Sequence, residues 1–365
     1  MSEAEPLAMP QGAGGLATTG RTIGYYVHHH GAGHLTRARA IAEAAAGRIV
    51  LLGTGIGPPG VNLADDRRAC RTFDGADGSE NRPDALHYAP LDHDGIRSRV
   101  ATIAQWVEAH KPSLMVVDVS VEVAMLARLA SVPVVYVRLN GDRTDLPHLE
   151  AFRGAAGLLA PFHRDLECST TLPWVREKTR YLPGITRKAR VRSDHMCRTI
   201  LVVVGRGGQA GDGEIIARTA ARCPEWHWRV IGPCSAPRHH PSNLDLLGWI
   251  QDPEQAVADA HLVVGAAGDG LVGSVLAANR PFICLPEDRP FDEQRATARG
   301  LGAAGAAVVL SHWPEPERWP GLIVEALALP DEARRTLHDP HGADAAARWL
   351  CEMASASHTA LEKAA

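Results

Sequence analysis

The sequence predicts an α/β protein of two Rossmann-like, doubly wound domains facing each other across a cleft. Three observations carry this prediction. Short apolar runs of strand length alternate with helical segments, as βαβ units require. Glycine-rich turns follow three of those runs, at Gly31-Ala32-Gly33, Gly205-Arg206-Gly207-Gly208 and Gly268-Asp269-Gly270. Two domains are also the natural expectation for 365 residues.

Composition narrows the class. A hydrophobic content of 45% supplies ordinary globular cores. The net charge of −4, without a long charge run, speaks against a nucleic-acid partner held by a basic surface. No apolar run approaches the ~20 residues that span a bilayer. Seven cysteines, an odd number without a CxxC pair, read as reduced thiols in a cytoplasmic protein. Residues 1–20 are acidic and Gly-rich and lack an apolar h-region, so a disordered leader is expected rather than a signal peptide.

Taken in order, Arg21 to Val27 is the first strand candidate, ending in His28-His29-His30-Gly31-Ala32-Gly33-His34. A helix follows through Ala46, then a strand at Ile49–Leu52. The four histidines are not expected to bind metal: extended neighbours alternate direction, and no acidic residue lies close in sequence. His34 opens the helix. It either points into a cleft, where an imidazole of pKa near ~6.5 can take a proton, or caps the helix and packs under the turn. Residues 54 to 98 are expected to be long loops. Ile96 to His110 has helical spacing. Leu114–Val117 is a buried strand ending in Asp118, a carboxylate that orients a histidine or else caps the helix from Val121 to Ala130, as Ser120 equally can. Val132–Leu139 and Leu158–Phe162 complete the first domain, 21–186, with 187–198 as a basic linker.

The second domain, 199–340, opens with a strand at Thr199–Val204, the second glycine-rich turn and a helix from Glu214 to Arg222. Strands at Trp228–Ile231 and Leu244–Leu247 lead to Gly248-Trp249-Ile250, where Trp249 lines a site or packs in the core. His261 to Gln294 then reads strand, glycine-rich turn, helix, strand and acidic loop. Backbone N–H groups at the start of that helix favour an anion. Ala306–Leu310 is the last strand. A helix from Gly342 to Met353 returns to the first domain within 341–365, and Ser355 to Ala365 is expected to fray.

The stretch Ala260-His261-Leu262-Val263-Val264, Gly268, Val272, Pro281, Pro286 and Glu293-Gln294 resembles the donor-binding segment of GT-B glycosyltransferases, in particular the MurG-like and UDP-sugar group. Residues 31–38 resemble their first glycine-rich loop, and the likeness covers 21 to 352. It implies the GT-B fold and metal-independent transfer of a sugar, from a UDP-sugar by expectation, to an acceptor hydroxyl. It implies His34 as general base, oriented by Asp118. The donor phosphates would lie over Gly268, Asp269, Gly270 and Leu271 and near Gly205, Arg206 and Gly207. Ile250, beside Trp249, would read the base, and Glu293 and Gln294 would hold sugar hydroxyls. Gly33, His30, Asn140 and Arg143 would form the acceptor side. Where the family often has a glutamate for the donor ribose, this chain has Ser274, a weaker acceptor. No cofactor or metal is implied. The acceptor would be a small molecule, a lipid-linked species or a polymer, with room for peripheral membrane contact. An epimerase, a hydrolase or a non-catalytic nucleotide-sugar binding protein on the same fold is the alternative.

Overall fold

The structure is a computed structural model that describes residues 22–29, 32–66, 82–185, 198–205 and 210–364. The expected leader, most of the linker, His30, Arg206 and Gly207 lie outside the described residues.

Seven strands form the first sheet: β1 (Ile23–Tyr26), β2 (Ile49–Gly53), β3 (Val61–Asn62), β4 (Leu114–Asp118), β5 (Val134–Val137), β6 (Gly157–Ala160) and β7 (Thr179–Tyr181). Their spatial order is β3-β2-β1-β4-β5-β6-β7. Six form the second: β8 (Thr199–Val203), β9 (His227–Ile231), β10 (Leu244–Gly248), β11 (Leu262–Gly265), β12 (Phe282–Cys284) and β13 (Val308–Val309), ordered β10-β9-β8-β11-β12-β13. Every pairing is parallel. Parallel strands are covered on both faces, so their sequences read as continuous apolar runs rather than alternating ones. β4, β5 and β11 are buried at every residue.

The helices are α1 (Ala32–Ala44), α2 (Asp94–His110), α3 (Val121–Leu129), α4 (Leu146–Gly154), α5 (Pro173–Lys178), α6 (Gly213–Arg222), α7 (Pro253–Asp259), α8 (Asp269–Ala277), α9 (Glu293–Ala303), α10 (Trp319–Ala328), α11 (Asp331–Thr336) and α12 (Gly342–Ala364). Two differences from expectation stand at the ends of the sheet and of the chain. The first sheet does not end at Leu158–Phe162; β7 adds a three-residue edge strand too short to show a period. The C-terminal stretch does not fray at Ser355, because α12 continues as one helix to Ala364.

In each sheet the strand order reverses once, between β1 and β4 and between β8 and β11. The loops leaving the carboxyl ends of those strands diverge there and leave a crevice. Nearby, the halves share an apolar core: Ala160, Phe162 and Leu166 pack in one cluster with Val263, Ala298 and Leu301. Pro183 and Gly184, near the end of the described residues of the first half, pack against the stretch from Asp339 to Gly342 that leads into α12. A Cβ on Gly184 would lie 1.8 Å from the Asp339 carbonyl, and one on Gly342 would lie 2.0 Å from that of Pro183. Beyond that stretch α12 lays Ala346, Ala347, Leu350 and Ala354 against Ala38 and Ile41 of α1.

Candidate active site

The loop after β1 opens α1 with His34, and β4 ends in Asp118, so both side chains stand at the reversal point of the first sheet. His34 Nδ1 lies 3.1 Å from Asp118 Oδ1. The carboxylate is fully buried and the imidazole 13% exposed. The competing cap role belongs to Ser120, whose Oγ accepts from the Val123 N–H at 3.2 Å, while Asp118 turns to His34 and Arg37.

Arg37, one helical turn beyond His34 and on the same face, completes the group. Its Nη2 lies 3.0 Å from both oxygens of Asp118 and 3.0 Å from His34 Nδ1. Nη2 carries two hydrogens, and the two carboxylate oxygens take them. When His34 Nδ1 carries the proton it donates to Asp118, and Nε2 is then the nitrogen able to take another. Burial opposes the charge on Asp118, but Arg37 and then His34 outweigh it and hold the carboxyl down at about 2. Burial likewise opposes the Arg37 charge, and Asp118 foremost raises the guanidinium above its ordinary value.

The second sheet brings its own reversal point to the opposite wall. Gly205 follows β8, and Gly268, Asp269, Gly270 and Leu271 carry the turn from β11 into α8. A cleft of about 1010 Å³ is lined by Gly33, His34, Arg37, Gly205, Gly268 and Glu293 among others. A second cavity of about 530 Å³ adjoins it and is lined by Trp249, Ile250, Gly270, Leu271 and Ser274. Arg37, Asp269 and Gly270 line both. Trp249 is 56% exposed at this wall, so it is not a core residue. The Ser274 hydroxyl donates to the Gly270 carbonyl at 2.9 Å.

Other residues expected at the site have further roles. Gln294 is 5% exposed, and its Oε1 accepts from the backbone N–H groups of Ala267 and Glu287 at 3.2 and 2.8 Å. It ties the glycine-rich turn to the acidic loop while lining the cleft. Glu293 accepts from Arg143 at 2.8 Å across the interface between the halves. Burial first, and then Asp269, raises the Glu293 pKa against the pull of Arg143. Asn140 and Arg143 stand between the halves rather than on the cleft wall. Asn140 is 1% exposed. It donates to the Leu166 carbonyl and to Thr297, and accepts from the N–H groups of Gly141 and Cys168. Arg143 also donates to the carbonyls of Leu139 and Asn140 and to His148.

Two groups have donor atoms close enough for a cation: His87, Asp145 and His148, and His29, Asp65 and Asp66. In the first, Arg143 donates to His148 Nε2, which places the imidazole proton on Nδ1, directed at Asp145 2.6 Å away. That is a hydrogen-bonded relay rather than a ligand set. In the second, the acidic partners that sequence proximity did not supply come from the loop after β3, and Arg99 already lies 3.3 Å from Asp66.

Sequence reasoning missed Arg37, although its three-residue spacing from His34 was a usable signal. It also missed the Arg143–His148–Asp145 relay, which no local pattern announces.

With these positions in place, the architecture can be compared with known proteins. Two parallel sheets with opposed reversal points define the GT-B fold of the glycosyltransferases, and the chain has that fold. CalG4, the calicheamicin glycosyltransferase, superposes with a TM-score of 0.62 at 14% identity, over 93% of this chain and 98% of that one. MurG of Acinetobacter baumannii gives 0.59 at 16%, over 90% and 98%. The spinosyn rhamnosyltransferase SpnG complexed with thymidine diphosphate gives 0.55 at 18%, over 92% and 96%. Among curated relatives, the UDP-N-acetylglucosamine--N-acetylmuramyl-(pentapeptide) pyrophosphoryl-undecaprenol N-acetylglucosamine transferase of Rhodospirillum centenum is 33% identical over 171 residues, 41% of this chain and 42% of that protein. The same-named protein of Agrobacterium fabrum is 31% identical over 108 residues, 27% and 29%. The matched region thus spans under half the length of these curated relatives. No family model matches the chain. Among the described residues, no helix is long and apolar enough to cross a membrane.

Proposed function

We propose that the chain is a glycosyltransferase that moves a sugar from a nucleotide-diphosphate donor to an acceptor hydroxyl. The observation that carries this is the His34–Asp118 pair, held at one reversal point and facing the glycine-rich start of α8 at the other. His34 Nε2 takes the proton of the acceptor hydroxyl, and Asp118 stabilises the imidazolium that forms. The acceptor oxygen bonds to the anomeric carbon, the bond from that carbon to the phosphate oxygen breaks, and its electron pair leaves with the diphosphate.

The nucleotide is assigned to the 530 Å³ cavity, beside Trp249, Ile250 and Ser274, with the phosphates toward Gly268–Leu271. Backbone N–H groups at the α8 start favour the departing anion, so the reading assigns the reaction no metal or cofactor. Activity that survives a chelator supports that assignment. A UDP-sugar is the donor of choice because the curated relatives are named for one. The acceptor belongs to the 1010 Å³ cleft on the His34 side, and the relatives' pyrophosphoryl-undecaprenol names make a lipid-linked acceptor worth including. Buried free thiols at Cys168, Cys223 and Cys284 fit a reducing, cytoplasmic setting.

The test is a panel of UDP-, dTDP- and GDP-sugars scored by thermal shift, followed by turnover of His34→Ala. A donor at a hundredfold excess over Kd stabilises by about 2.7 kcal/mol. The expected result is a bound donor in both proteins and transfer to added acceptors in the wild type alone. Release of free sugar or of an epimer instead of transfer would refute the transferase reading, and an unchanged rate in the variant would remove His34 from the chemistry.

A further inference from the structure

The α8 start has a feature at odds with simple anion binding. Its first residue is Asp269, so a carboxylate already sits where a diphosphate would approach the helix. That carboxylate does not cap its own helix. It turns 24% exposed toward the cleft and meets Arg37 Nη1 at 3.4 Å, the long end of a hydrogen bond. Nη1 makes this contact, whereas Nη2 is bound to Asp118. One arm of a guanidinium that is 95% buried is thus fixed to the general-base pair. The other reaches into the seam between the two cavities and holds a loosely placed anion.

We propose that Arg37 is a catalytic residue that receives the leaving diphosphate, exchanging Asp269 for a phosphate oxygen when donor binds. This rests on the nucleotide-sugar reading above and adds to it the cation at the phosphate subsite. The position follows from the cavities. Sugar and acceptor chemistry belongs beside His34, the nucleoside beside Trp249, and the diphosphate joins them; Arg37 lines both spaces. The exchange is favourable because a diphosphate carries more charge than a carboxylate, and Nη1 then donates a charge-assisted hydrogen bond to it while Nη2 stays on Asp118. As the sugar–oxygen bond breaks, negative charge grows on the oxygen that faces Nη1, so the contact strengthens toward the transition state. The same side chain, anchored on Asp118, couples the charge leaving with the diphosphate to the proton arriving on His34. Empty of donor, the Arg37–Asp269 contact keeps both charges paired.

The experiment measures binding of UDP and of uridine by calorimetry, with dTDP or GDP replacing UDP if the wild type prefers one of them. Arg37→Gln should weaken the diphosphate at least tenfold, about 1.4 kcal/mol, and leave the nucleoside unchanged. Asp269→Asn removes the competing carboxylate and should tighten the diphosphate about threefold or more, the opposite sign. If Arg37→Gln does not fold, Asp269→Asn decides alone. Unchanged diphosphate affinity in both variants, with turnover reduced only in Arg37→Gln, would make Arg37 a positioning residue for Asp118 and overturn the proposal. A wild type that binds none of the three diphosphates would take down the transferase reading itself, and this inference with it.

Discussion

Replacing Asp118 with asparagine isolates the buried charge on which the site is built. Folding moves this carboxyl from 3.8 to about 2. At ~1.36 kcal/mol for each tenfold change in proton affinity, the ionised group is worth on the order of 2 kcal/mol to the folded state at neutral pH. The amide keeps one acceptor oxygen but strands the Arg37 charge, and breaking a buried pair costs about 3–5 kcal/mol. A loss of about 2–4 kcal/mol is therefore expected, seen as a urea midpoint lowered by about 1–2 M. Because the folded pKa lies below the unfolded one, the carboxylate's contribution is complete above about pH 4 and disappears as pH falls through about 2. The gap between wild type and Asp118→Asn should close over that window. Turnover should fall at least a hundredfold, since His34 loses the partner that fixes its tautomer. A variant as stable as the wild type at pH 7, or a gap that does not change between pH 5 and pH 2, would refute the argument that Asp118 is held ionised by Arg37.

Two further outcomes follow from the contacts between the halves. Asn140→Ala deletes the side-chain partner of Leu166, Thr297, Gly141 and Cys168 and leaves buried backbone groups unpaired. It should cost about 2–3 kcal/mol, read as a lower Tm, while UDP affinity stays the same, because Asn140 is not among the residues lining the 530 Å³ cavity. His148 is held neutral in the fold, its pKa lowered to about 3 by burial and then by Arg143. The unfolded chain therefore takes up a proton that the folded one refuses as pH drops from about 6.5 toward 3, and stability declines over that range. His148→Gln should flatten that part of the pH–stability curve, and an equally steep decline would show that another group governs it.

The sheets were legible because parallel strands covered on both faces leave continuous apolar runs. Leu114–Val117, Thr199–Val204 and Leu262–Val264 needed little more than their composition. β7 escaped because three edge residues carry no period. α4 escaped because its nine residues include a proline in the first turn and only a weak apolar stripe. At the site, His34, Asp118, Gly268 and Trp249 were readable from their places at strand ends and turns. Asn140 and Arg143 were placed at the right strand end, but their sequence surroundings do not say that the other half would close over them. The partners that bury them, Thr297 and Glu293, lie 157 and 150 residues away. Interactions of that separation arise from the docking of the halves, and local pattern carries no trace of it. Arg37 is the intermediate case, a local signal whose meaning depends on Asp269, 232 residues downstream.

The close contacts at Gly184 and Gly342 have a mechanical consequence. Two chain segments bound side by side act as a spine, and Phe162, Leu166 and the Asn140 bonds thicken it along the same edge. Any rearrangement of the lobes has to keep these close backbone contacts or break them, so the contacts act as its pivot. Gly184 also lines the 530 Å³ cavity, so the joint and that space share a wall.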